Sequence, residues 1–191
     1  MFDRATIPFS TPLSRREALA ASLGSATAGA TVIPASRRAA EPMTLIRSKD
    51  GRRLSGFRYR NAEAFFIGIE HGRYGRAHDL LYQAGIVAQL ALSSHLLDVG
   101  FEDQWCARNL GLDIGAALSC ANATGLGYSS SEFAKLAVII SPYNRWRNPD
   151  LAGVRTSLPT NLPEVGLVLR ALLDHVRNVT GHRPVKRRNG G

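Results

Sequence analysis

Between Arg76 and Gly100 the chain carries Leu80, Leu81, Ile86, Val87, Leu90, Leu92, Leu96, Leu97 and Val99 on a helical period, with almost no charge in the middle of the run. A helix that apolar has to be enclosed by protein on most sides. Gly100 supplies a natural C-terminal stop. The rest of the chain is therefore expected to wrap this one helix, and that requirement constrains the fold more than any other feature.

The flanking patterns suit such a wrapping. Asn61 can cap a helix from Ala62 with Phe65, Phe66 and Ile69 on its apolar stripe, before Gly72 and Gly75 loosen it. Glu102 and Asp103 fit the first turn of another helix, through Trp105, Leu110, Leu112, Ile114 and Leu118. Ser129-Ser130-Ser131-Glu132 reads as a capping box ahead of Phe133, Leu136, Val138 and Ile139, and Pro142 limits that helix. A proline-rich loop leads to Asn161 and Pro163, which open a last amphipathic helix through Val176. Ahead of all these, Thr44–Arg47 and Leu54–Tyr59 flank Lys49-Asp50-Gly51, a hairpin signal. The expected fold is mainly α: a bundle of about five helices with a short β-hairpin at its entrance. The expected division is a leader over residues 1–40, one helical domain over 41–180 and a basic disordered tail over 181–191.

Charge narrows the function classes. There are 24 Lys and Arg against 15 Asp and Glu; five of those arginines and two of those acids precede Glu41, which leaves 19 basic and 13 acidic residues, or +6, in the body. A basic body suits nucleic acid, anionic lipid or an acidic glycan. Two cysteines, Cys106 and Cys120, are too few for a disulfide framework, and pairing them requires a chain reversal, best placed at Gly111 or Gly115. Two independent buried thiols are the expectation.

The front of the chain carries an address. Ser14-Arg15-Arg16-Glu17-Ala18-Leu19 is followed by an uncharged run of small and mildly apolar residues to Ala35, then Arg37-Arg38. Its only large aliphatic side chains are Leu19, Leu23, Val32 and Ile33, too few for a stable membrane span. A basic start, a modest apolar core and small residues near a cleavage point define a secretory leader. With its paired arginines, this one resembles the bacterial twin-arginine (Tat) signal peptide, in which Arg15, Arg16 and Leu19 would carry the signal. The place often held by Phe is Ala18 here. The resemblance implies recognition by the Tat machinery, removal of the leader, a periplasmic or otherwise exported body without a membrane span, and little role for nucleic acid. A cytosolic location follows only if the leader is an ordinary Ala-rich helix.

Three sets of residues could carry chemistry. Tyr143-Asn144-Arg145-Trp146-Arg147 combines an indole with guanidinium groups, so Arg145, Trp146 and Arg147 could stack on a sugar and hold an anion. Glu70, His71, His78 and His95 are ligand types for zinc or iron, although His71 and His78 would lie about 10 Å apart along a straight helix. Gly125-Leu126-Gly127 lacks the strand and third glycine of a dinucleotide loop and reads as an interhelical turn. The reading is an exported binding or interaction module for an anionic or glycan partner, with no favoured cofactor. A metal-dependent enzyme and a cytosolic nucleic-acid-binding protein are the alternatives.

Overall fold

The computed structural model describes residues 44–149 and 162–183. The leader, most of the proline-rich loop and the sequence after Arg183 lie outside the described residues. Six helices follow in order: α1 Lys49–Glu70, α2 Ala77–Val99, α3 Asp103–Asn109, α4 Ile114–Ala123, α5 Ser131–Ile140 and, after a 3-10 turn at Tyr143–Trp146, α6 Leu162–Thr180. All lie in the unit that runs from Ile46 onward. There is no strand among the described residues.

The uncharged run is indeed the centre. On α2, Leu80, Leu81, Ala84, Val87, Ala88, Ala91, Leu92, Leu96 and Leu97 are all 0–1% exposed. By length and composition α2 could also cross a membrane, with mean hydropathy 1.3, yet 67% of that window is buried inside the protein. Helix α1 packs antiparallel to α2, with Ser55 of its first half on Ser94 and Gly68 of its last turns near Gln83. Helix α6 runs back along α1, so that Arg170 meets Glu63 near one end and Thr180 meets Arg52 at the other. These three long helices form the frame, and α4, α5 and the 3-10 turn close the remaining sides of α2.

Two expectations need correcting. The hairpin expected over Thr44–Tyr59 is not formed: from Lys49 onward these residues are the first half of α1. Ser48 stands at its N-cap, and its Oγ accepts the Gly51 amide at 2.9 Å, so the Asp50-Gly51 step becomes a first helical turn. The tertiary contact with α2 decides between turn and helix here, which a local Asp-Gly signal does not register. The helix expected from Glu102 through Leu118 is two helices. Gly111, at φ 55, turns the chain after α3, and the Asp113 carboxylate then caps α4 by accepting the Ala116 amide at 3.0 Å.

Candidate functional site

The loop after α5 is built as an anchor. Trp146 is 1% exposed, and its Nε1 donates to the Ile139 carbonyl at 3.1 Å. Arg145 donates to the same carbonyl and lies 5.2 Å over the indole ring. Tyr143 packs against Tyr82, donates to Gln89 and sits so close to Gly85 that any Cβ there would lie 2.1 Å from that of Tyr143. An indole so enclosed offers no face to a sugar or base. Of the three residues expected to make a binding surface, Arg147 is the exposed one.

The four residues considered as metal ligands are not brought together. Glu70 ends α1 and His71 is its exposed C-cap residue. His78 lies in the first turn of α2, with Nε2 3.5 Å from Asp79. His95 is 17 residues further along the same helix, about 25 Å away at 1.5 Å per residue. No group of three or more His, Cys, Asp or Glu side chains placed to hold a metal exists among the described residues. His95 itself is buried, with Nε2 3.4 Å from Thr124 Oγ1 and no partner for Nδ1 among the described residues. Burial pushes its pKa down, so the neutral imidazole is the resident form.

Cys106 and Cys120 are both free thiols. Burial comes first in pushing the Cys106 thiol up to about 12, with Cys120 as a second influence, and burial also raises the Cys120 thiol. A thiol held that far from ionisation is a poor nucleophile.

Two polar clusters along the α1–α6 seam were not legible in the sequence. In the first, the buried Glu63 accepts the Tyr59 hydroxyl at 2.7 Å and Arg170 Nη1 at 3.1 and 3.2 Å to its two oxygens. The Arg170 guanidinium lies 4.2 Å over the Phe66 ring. This cluster borders an open groove of about 380 Å³ between the end of α1 and the start of α6, where Ile69, Tyr74 and Leu167 supply apolar surface. In the second, Arg52 Nη1 contacts Asp98 Oδ1 at 2.6 Å and its Nη2 donates to Thr180 O at 3.1 Å. Beside it, Ser55 Oγ lies 2.6 Å from His182 Nε2. The signal for both was the spacing Arg52, Ser55, Tyr59, Glu63, Phe66 on one helical face. Placing Leu54–Tyr59 in a strand and starting the helix at Ala62 divided that face between two separate elements.

The head of α1 carries the most cationic surface of the described clefts. Arg47, Ser48, Lys49, Arg52 and Asp98 line a recess of about 180 Å³. Among the described residues its one lining acid, Asp98, is already bonded to Arg52, and the outer cations Arg47 and Lys49 are exposed. The first-turn amides of α1 add a partial positive charge at the same point.

No protein-family model matches the chain, and neither a curated protein nor a solved structure matches it.

Proposed function

We propose that this is an exported, periplasmic helical protein whose body binds an anionic or glycan partner through the head of α1. The observation that carries the reading is the recess whose described lining sets Arg47, Lys49 and Arg52 against one acid, the already paired Asp98. Guanidinium and ammonium groups at a helix N-terminus are a favourable setting for phosphate, sulfate or carboxylate groups. Arg147 is a further cation on the exposed surface. The leader, with Arg15, Arg16 and Leu19 as its signal and the Tat machinery as its partner, supports an exported body.

The test has two arms. The export arm reads the N-terminal residue of the chain recovered from the periplasmic fraction; a chain found only in the cytosol and still beginning at Met1 overturns it. The binding arm titrates the body with a polyanionic glycan such as heparin at rising salt. Binding weakened at least several-fold in Arg47→Ala/Lys49→Ala, with an unchanged melting temperature, is the expected result. Equal binding by the double variant overturns the placement of the site.

A further inference from the structure

Immediately after α6, Gly181 takes a left-handed conformation at φ 71, and the chain turns His182 back onto α1. There the imidazole meets the seam between α1 and α2. Its Nε2 lies 2.6 Å from Ser55 Oγ, its ring centroid is 5.9 Å from that of Tyr59, and Gly56 leaves room for Nδ1 beside the backbone. Arg52 holds the same segment from the other side through the Thr180 carbonyl.

The hydrogen-bond roles follow from counting protons. Ser55 has one hydroxyl hydrogen, and it is given to the buried Ser94 carbonyl at 2.6 Å. The short contact to His182 therefore requires Nε2–H to donate to Ser55 Oγ. A serine whose proton points away from the imidazole is not primed for attack, so this pair is a fastener and not a nucleophile with its base. Ser55 is itself fully buried, which excludes substrate from it.

We propose that His182 is a proton-operated latch: with a neutral imidazole it clips the chain after α6 to the α1–α2 seam, and with a charged one it lets that chain go. Donation from Nε2 survives protonation, so the switch does not work by losing that bond. It works through the second proton, on Nδ1, which creates a cation in a place that disfavours one. Burial is the largest influence pushing the pKa of His182 down. The groups facing it divide: from α1, Arg52 and Arg60 repel the charge and the Tyr59 ring is neutral; from α2, Ser94 is neutral and Asp98 attracts it. Asp98 is already bonded to Arg52, and the net direction remains downward.

The sign is that of a histidine whose docked pKa lies below its free value. Docking is fully favoured above about pH 6.5, the ordinary imidazole value, and is lost progressively as pH falls from there toward the docked pKa. The sequence that follows the latch contains Lys186-Arg187-Arg188, so the device sits just ahead of the most basic stretch of the chain.

The experiment is an NMR titration of the full chain from pH 8 to pH 5. It follows the His182 imidazole and the amide exchange and heteronuclear NOE of Gly181, His182 and Arg183. The expected result is a His182 midpoint below about 6.5, the ordinary imidazole value, and opening of the three amides in step with it. Opening should increase by about tenfold for each pH unit separating the docked and free midpoints. His182→Gln, which keeps an N–H donor without a titrating proton, should stay docked throughout; Ser55→Ala should be open at pH 8. Amides that remain protected through the imidazole transition, or a His182 midpoint at or above about 6.5, overturn the latch. Both readings come from the unmodified protein, so a variant that fails to fold leaves the test intact.

Discussion

The α1–α6 seam holds an arginine on a buried carboxylate near each end, and the two pairs are built differently. At the Glu63 end the arginine is enclosed: Arg170 reaches both carboxylate oxygens, covers the Phe66 ring and is 28% exposed, while the Tyr59 hydroxyl takes a further position on Glu63. At the Asp98 end Arg52 makes one contact to the carboxylate, spends its other arm on the Thr180 carbonyl and is 57% exposed. The groups around them also differ. Glu63 is surrounded by a guanidinium and by a phenol whose pKa is raised by burial first and Glu63 second, and neither changes charge near neutrality. Asp98 acts on two imidazoles, His95 and His182, both held below their ordinary pKa. One kind of ion pair thus serves as a fixed brace at one end and stands beside titrating groups at the other.

The brace should be the costlier to break. Arg170→Ala leaves Glu63 buried without its cation, which typically costs about 3–5 kcal/mol. Arg52→Ala exposes Asp98 to more water through the space the arginine vacates, and the loss should be about 1–3 kcal/mol. Urea denaturation of both variants at pH 7.5 measures the ranking. An Arg52 variant as unstable as the Arg170 variant would mean that exposure is not what separates the ends.

Acid sharpens it. His95 and His182 favour the folded, neutral-imidazole state, so their contribution is intact above about pH 6.5 and is lost as pH falls below it. For the buried His95 the slope is at most about 1.4 kcal/mol per pH unit. His95→Leu should flatten the fall in melting temperature between pH 7 and pH 5, and His95→Leu/His182→Gln should flatten it further. A slope unchanged in the double variant would remove the titrating character assigned to the Asp98 end.

How much of this the sequence disclosed depends on the range of the forces involved. The centre of the bundle was legible because the hydrophobic run from Leu80 to Val99 is a property of contiguous residues. A serine cap ahead of Phe133 was legible for the same reason, though one residue off: Ser130 stands at the N-cap in place of the Ser129 of a Ser129–Glu132 box, and its Oγ accepts the Phe133 amide at 3.1 Å. The first half of α1 was not, since Lys49-Asp50-Gly51 has two local solutions and the choice rests on contacts with α2 such as Arg52 to Asp98, 46 residues apart. The seam clusters were illegible for a related reason. Glu63 and Arg170 are 107 positions apart, and Ser55 and His182 are 127 apart. Trp146 in an arginine-rich loop reads as a ligand surface only until the Ile139 carbonyl is seen to hold it.

Tyr59 gives the smallest and most discriminating change, because it touches both ends. Its hydroxyl belongs to the Glu63 brace, and its ring lies 5.9 Å from His182. Tyr59→Phe keeps the ring, which is fully buried, and removes one hydrogen bond from a carboxylate that retains two contacts to Arg170. The expected loss is about 1 kcal/mol, within the usual range for one buried hydrogen bond. Because a phenol does not ionise between pH 5 and pH 8, that loss should be the same at both limits, shifting the stability curve without tilting it. Thermal unfolding across the range reads this directly. If the variant also steepens or flattens the acid slope, the hydroxyl transmits charge from the Glu63 network to His182 through the shared ring. The two ends would then be a single coupled unit, and their contrast would be one of position alone.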